Sequence, residues 1–130
     1  MDLGTETAAT GKLAGRRVLV VEDSPLIATV LEDMLQDLGC TVVGPIGNMA
    51  FAVDLAKTEA MDAAIIDLNI RGGKVYPVAE VLRDRNIPFL LASGYADWTL
   101  REDFKDRPRL TKPYSAELVE QKLLKLLELE

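Results

Sequence analysis

Short unbroken apolar runs alternate along this chain with stretches whose apolar positions recur every three or four residues. The runs are Val18-Leu19-Val20-Val21, Val42-Val43, Ala63-Ala64-Ile65-Ile66 and Phe89-Leu90-Leu91-Ala92, and a shorter Arg109-Leu110-Thr111 comes last. A run of this length without polar alternation predicts a strand buried on both faces, as in a parallel sheet. The stretches between them predict helices. Ser24 can cap the first and Pro25 suits its opening turn, with Leu26, Ile27, Val30, Leu31, Met34, Leu35 and Leu38 at helical spacing until Gly39 stops it. Asn48 opens a second, to about residue 60, with Ala52, Val53, Leu55 and Ala56. A third covers 77–85 with Val78, Val81 and Leu82 inward, and Ser115 caps a last one carrying Leu118, Val119, Leu123, Leu126 and Leu127.

Between 95 and 107 the helical signal is weakest, because Trp98, Leu100 and Phe104 make no regular stripe. A short or partly populated helix is expected there. Residues 1–15, rich in Thr, Ala and Gly and without periodicity, predict a mobile tail and leave 16–130 as one domain. Five strand-then-helix units imply an α/β fold with helices on both faces of a parallel sheet. Right-handed crossovers give a flavodoxin-like (βα)5 arrangement of strand order 2-1-3-4-5, in which the first and third strands lie side by side.

Composition narrows the chemistry more than the fold. The 130 residues are 48% hydrophobic and 28% charged, ordinary for one soluble domain. No apolar run approaches the roughly 20 residues that span a bilayer, and no signal peptide opens the chain, so a cytoplasmic location is expected. The single cysteine, Cys40, excludes an internal disulfide or a cysteine-based zinc site and reads as a small buried thiol at a helix-to-strand turn. The absence of histidine removes imidazole as base, ligand or phosphoryl carrier. A net charge of −6 argues against nucleic acid or anionic membrane as partner.

The strand ends then deliver Glu22 and Asp23, Asp67, Ser93 and Lys112 to the carboxyl edge of the sheet, where ligands bind in open α/β folds. Each has an ordinary reading alone: helix cap, turn residue, loop hydroxyl, solvated charge. Together, three carboxylates repel one another unless a cation sits among them. An oxygen-only ligand set selects a hard ion such as Mg²⁺. A carboxylate beside that ion can attack a phosphoryl group and form an acyl phosphate, with Lys112 as cation, Ser93 as hydroxyl and Gly94 leaving room. Tyr76, Trp98 and Met49 read as packing residues, and Arg71 and Lys74 as solvated charges able to attract an anionic donor.

Val20-Val21-Glu22-Asp23-Ser24-Pro25, Ile65-Ile66-Asp67-Leu68-Asn69, Ala92-Ser93-Gly94-Tyr95 and Thr111-Lys112-Pro113-Tyr114 resemble the four signature segments of the receiver domain of bacterial two-component response regulators. The resemblance implies that Asp67 accepts a phosphoryl group from a sensor histidine kinase. It implies Mg²⁺ held by the side chains of Asp23 and Asp67 and the backbone carbonyl of Asn69, with Glu22 acting through water. Ser93 and Lys112 would contact the phosphoryl oxygens, and Lys112-Pro113 would be a cis peptide. The segment Leu91-Ala92-Ser93-Gly94-Tyr95 is similar to the FAT GUY group of receivers, often single-domain proteins, with Ser for the usual Thr and Leu for the usual Phe.

Arg109 stands three positions before the lysine, where receivers commonly carry an aromatic switch residue. That departure leaves Tyr95 or the loose stretch 95–107 to carry the change, and the switch set is expected at Gly94, Tyr95, Arg109 and Pro113. With no residue after Glu130, a single-domain regulator is expected, signalling by protein contact or by phosphotransfer to a histidine-bearing protein or an effector, without turnover as an enzyme. Two alternatives stand beside this reading. A haloacid dehalogenase-like Mg²⁺-dependent phosphatase would place a DxD pair after its first strand, where this chain has Glu22-Asp23-Ser24. A phosphate-independent docking module would not need the acidic set, Ser93 and Lys112. Dinucleotide binding lacks its Gly-rich loop.

Overall fold

The computed structural model describes residues 11–71, 73–94 and 100–129. In chain order the elements are β1 (Arg17–Val21), α1 (Pro25–Asp37), β2 (Thr41–Ile46), α2 (Met49–Thr58), β3 (Ala63–Asp67), a hairpin of β4 (Asn69–Ile70) and β5 (Gly73–Lys74), α3 (Tyr76–Asp84), β6 (Phe89–Ser93), a 3-10 turn (Glu102–Phe104), β7 (Arg109–Thr111) and α4 (Ala116–Leu126). The parallel sheet has the order β2-β1-β3-β6-β7. With the small hairpin set aside, this is the expected 2-1-3-4-5.

Successive residues of each central strand feed opposite layers. Val18 and Val20 pack with Leu31 and Leu35 of α1 and Val119 and Leu123 of α4. Leu19 and Val21 pack on the other side with Ala52 and Ala56 of α2 and with α3. Both faces are covered, so no position along the strand is left for a polar residue. The expected caps are present: Ile27 N–H donates to Ser24 Oγ (3.4 Å), Phe51 N–H to Asn48 Oδ1 (3.2 Å) and Leu118 N–H to Ser115 Oγ (3.1 Å). Among the described residues no helix is long and apolar enough to cross a membrane.

Two segments differ from expectation. Packing starts earlier than residue 16: Leu13 is buried, its carbonyl accepts the Cys40 thiol at 3.6 Å, and Gly15 N–H donates to the Gly39 carbonyl at 2.8 Å. A lone leucine among Gly, Ala and Thr gives no periodicity to read; residues 1–10 of the expected tail lie outside the described residues. Cys40 is the buried thiol expected, its pKa pushed up to about 11 by burial and by the charge of Asp62. Strand β2 runs on through Gly44-Pro45, a pair that reads as a turn. Gly44 makes this possible at φ +96, where an added Cβ would lie 2.9 Å from the Val20 carbonyl oxygen.

The weak stretch 95–107 supplies the 3-10 turn, while Tyr95 and Trp98 lie outside the described residues. Phe104 fixes this turn to the core. Its ring stacks on Tyr76 (centroids 5.6 Å apart) and tilts against Phe89 (6.1 Å). The Arg101 guanidinium lies 4.9 Å over Tyr76, its backbone N–H donates to the Tyr76 hydroxyl at 2.8 Å, and its side chain reaches Glu80 (2.9 Å) and Asp103 (2.6 Å). Tyr76 is thus a packing residue, as expected.

Two outcomes follow for this region. Phe104→Ala should destabilise the domain by about 3–5 kcal/mol, measured by denaturant unfolding. The bond from Arg101, more than any other contact, lowers the Asp103 carboxyl from 3.8 to about 2. A depressed carboxyl gives stability that is complete above its unfolded value and lost as pH falls through about 2. Arg101→Ala should raise the Asp103 titration midpoint toward the ordinary range in an NMR pH titration, and an unmoved midpoint would contradict the assigned cause.

Candidate functional site

Four strand ends build the site. After β1, Glu22 N–H donates to the Ile46 carbonyl at 3.0 Å, which holds the acidic turn against β2. The Glu22 side chain is buried and its Oε2 accepts the Ser24 N–H at 3.0 Å. Asp23 beside it is exposed. Gly47 closes the back of this turn: an added Cβ would stand 2.9 Å from Asp23 Cα and 3.1 Å from the Glu22 carbonyl oxygen, so no other residue fits without displacing the acidic pair.

Asp67 ends β3 and is buried to 5% exposure. Its Oδ1 accepts the Asn69 N–H at 3.0 Å, and its Oδ2 accepts the Lys112 ammonium at 2.5 Å. The same ammonium lies 2.8 Å from Glu22 Oε1. Lys112 is positioned from the backbone, where its N–H donates to the Ser93 carbonyl at 2.8 Å, and the Lys112–Pro113 peptide is cis. Ser93 is buried at the end of β6, one residue past Ala92, the register partner of Asp67. At Gly94 an added Cβ would meet nothing within 4 Å.

One carboxylate oxygen from each of Glu22, Asp23 and Asp67 lies within 4.8 Å of the other two. Burial pushes the Glu22 carboxyl up, and the Asp67 charge adds to the rise against the lowering effect of Lys112 and the Ser24 N–H. Burial alone would lower the Lys112 ammonium, but its bonds to Asp67 and Glu22 outweigh that and raise it. Tyr114 is pushed up to about 12, first by burial and then by the charge of Glu22. Despite its proximity to the ammonium, Glu22 Oε1 is a buried acceptor with no hydrogen bond of acceptable geometry. One ammonium against three clustered carboxylates, with a buried Glu22 oxygen that has an ion pair but no well-directed hydrogen bond, is a donor set that fits a hard divalent cation.

The structure thus brings Glu22, Asp67 and Lys112 into side-chain contact, sets Asp23 within 4.8 Å of the two other carboxylates, and joins Ser93 through the backbone. Asn69 sits on the Asp67 turn with its Oδ1 accepting Lys74 Nζ at 2.5 Å, so Lys74 is tied to the site loop and is not merely solvated. Arg71 is exposed at a backbone bridge to Asn48. Arg109 opens β7, where its guanidinium donates to the Lys105 carbonyl at 3.2 Å, and Pro113 is exposed beside Lys112. Tyr95, expected to take part in a switch, lies outside the described residues.

Sequence reading missed a groove of about 390 Å³ beside Lys112, lined by Leu26, Ile27, Val30, Pro113 and Tyr114. Leu26 and Val30 belong to the helical apolar series yet are 75% and 42% exposed, while Ala28, Leu31 and Leu35 are buried. The series covers a wider arc than one face of α1 can bury; that excess width was the available signal.

The model of the response regulator receiver domain matches residues 18–123. The transcriptional regulatory protein PdtaR of Mycobacterium tuberculosis is 32% identical over 104 residues, which cover 77% of this chain and 51% of PdtaR. The chain spans about half the length of that relative. The solution structure of SdrG from Sphingomonas melonis Fr1 superposes with a TM-score of 0.77 at 45% identity, covering 87% of this chain and 97% of SdrG. The BeF3-activated conformation of SdrG matches at a TM-score of 0.74 and 44% identity, covering 88% of this chain and 98% of that one. A parallel five-strand sheet carrying clustered carboxylates and a lysine at its carboxyl edge, matched over most of its length, places this chain in the response regulator receiver domain family.

Proposed function

We propose that the protein is a phosphoacceptor of the two-component type, with Asp67 as the residue that carries the group. The observation that supports this most is the Lys112 ammonium between Asp67 and Glu22, within a cluster of three carboxylates. In the step itself, an Asp67 carboxylate oxygen forms a bond to phosphorus as the nitrogen–phosphorus bond of a donor phosphohistidine breaks, and the electron pair leaves with the donor imidazole. The side chains of Asp23 and Asp67 and the Asn69 carbonyl would hold Mg²⁺, with Glu22 acting through water; bound there, the ion neutralises negative charge on the transferring group. Lys112 supplies a second positive charge, and Ser93 a hydroxyl donor, to the phosphoryl oxygens. The open space at Gly94 leaves room for the group to arrive.

The donor is a sensor histidine kinase or a histidine phosphotransfer protein. The apolar groove at Leu26, Val30 and Tyr114 borders Lys112, so a helix seated there would bring its histidine to the acceptor. Arrival of phosphate draws Ser93 and Lys112 inward and alters the neighbourhood of Gly94, Tyr95, Arg109 and Pro113, in the manner of the FAT GUY group that 91–95 resembles. The output is a change in protein contact.

Incubation with acetyl phosphate and Mg²⁺ should add one phosphoryl mass to the intact protein and none to Asp67→Ala; equal labelling of both would remove Asp67 as acceptor. Steady turnover of a small phosphomonoester would instead favour a phosphatase. Mg²⁺ bound only by the folded state should raise the melting temperature, and Asp23→Asn should raise the metal-free melting temperature by relieving repulsion while shrinking the Mg²⁺ response. Val30→Glu should slow transfer from a phosphorylated kinase about tenfold or more while leaving labelling by acetyl phosphate unchanged. Equal losses from both donors would place the effect in the reaction centre and not in docking.

A further inference from the structure

We propose that the cleft between the end of α3 and the segment leading into β7 binds a small phosphate monoester. Arg83, Asn86, Ile87, Pro88 and Arg107 line it, and its volume is about 390 Å³. It lies at the amino edge of the sheet. Pro88 comes just before β6 and five positions before Ser93, roughly 17 Å along an extended strand, so the cleft is separate from the acceptor site.

Three guanidinium groups gather over the buried Phe104 ring, those of Arg101, Arg83 and Arg107 at 5.0, 5.2 and 5.8 Å from its centroid. Arg101 is paired with Glu80 and Asp103, and Arg83 with Asp103 and Asp84. Among the described residues Arg107 is paired with no carboxylate. Half-buried, it also lies 4.9 Å over the Phe89 ring. That burial separates it from an exposed lysine without a partner, which water solvates fully. Stacking occupies the face of a guanidinium and leaves the N–H groups on its rim for an acceptor.

An anion entering the cleft meets Arg107 and Arg83, with the Asn86 amide as a neutral donor beside them. A phosphate group has three oxygens with which to span two guanidiniums. A carboxylate carries less charge with which to compete against Asp84 and Asp103 for Arg83. The cleft is larger than a bare phosphate group and matches the size of small-ligand sites, and Ile87 and Pro88 make one wall apolar, so the ester should carry an apolar body. The same two aspartates disfavour a long polyanion such as a nucleic acid strand. This binding goes beyond the phosphoacceptor reading and is independent of Asp67.

The test titrates phenyl phosphate into isotope-labelled full-length protein without Mg²⁺, alongside inorganic phosphate, benzoate and benzyl alcohol. Phenyl phosphate should move the Arg83, Asn86, Ile87 and Arg107 amides and the Nε–H resonances of both arginines, and should saturate. Inorganic phosphate and benzoate should move the same set more weakly, and benzyl alcohol should not move it. Arg107→Gln should weaken binding about tenfold or more, and Arg107→Lys, which keeps the charge and loses the planar fork, should weaken it by less. Unchanged affinity in both variants, each with a dispersed native spectrum, would overturn the proposal. Equal binding of benzyl alcohol would also overturn it. Asp67→Ala should bind as the parent protein does. Loss of binding in that variant, or largest shifts at Gly94 and Lys112, would assign the phosphate to the acceptor edge and overturn this cleft while leaving the acceptor reading in place.

Discussion

A single ammonium group holds two buried carboxylates at the end of the sheet, and much of the structure is arranged so that it can. Glu22, Asp67 and Lys112 come from three different strand ends, with Asp67 and Lys112 standing 45 positions apart in the sequence. Both carboxylates lose water on burial, and for Glu22 that loss pushes the carboxyl up. The Lys112 charge compensates part of that cost. Removing one member of a buried ion pair generally costs about 3–5 kcal/mol, although Lys112 keeps 21% side-chain exposure, and solvent screening reduces the figure here. Such a cluster adds little net stability to the domain. Its value lies in a concentrated negative charge held in fixed geometry around one cation, which leaves one more cationic partner electrostatically favoured.

That geometry is inherited from the sheet. The register pairs Val21 with Ile66 and Asp67 with Ala92, so β1, β3 and β6 end at nearly the same level. Two oily layers lock this register, because a slip by one residue would exchange Val18 and Val20 for Leu19 and Val21 between them. The ligand edge is therefore precise to the extent that the core is well packed. Gly47 extends the same logic to the loops, since its missing side chain lets the β2–α2 connection rest directly against Asp23.

The strands, their order and the arrival of Glu22, Asp23, Asp67, Ser93 and Lys112 at one edge were legible because they depend on local pattern and on topological rules that few sequences escape. Unbroken apolar runs mark central parallel strands, and the chain leaves each at the carboxyl edge. Ser24, Asn48 and Ser115 were readable as caps because capping is local chemistry. Less visible was whatever depends on a distant surface. Leu13 is buried because the Cys40 turn lies over it, and nothing near Leu13 in the sequence announces that. Leu26 and Val30 share helical spacing with Leu31 and Leu35 but find no element among the described residues to cover them. The 3-10 turn at Phe104 depends on Tyr76, Phe89 and three arginines, a set assembled from separate parts of the chain that no period could reveal.

Strand β7 delivers Lys112 to the carboxyl edge and also restricts how a change there could spread. At its far end Lys112 N–H is bonded to the Ser93 carbonyl, and at its near end Leu91 N–H is bonded to the Pro108 carbonyl. A short strand pinned at both ends cannot itself slide, so a signal needs a group with two alternative sets of contacts. Lys112 is such a group, because its ammonium already divides itself between Asp67 and Glu22. A phosphoryl group on Asp67 would offer more negative charge than the carboxylate it replaces and would draw the ammonium away from Glu22. Glu22, buried and pushed toward its neutral form even with Lys112 beside it, would then need a proton or a metal-bound water to replace the lost partner. The same competition for one cation that stabilises the resting site would thus convert a local change of charge into a rearrangement beside Pro113 and Tyr114, where a protein partner could read it.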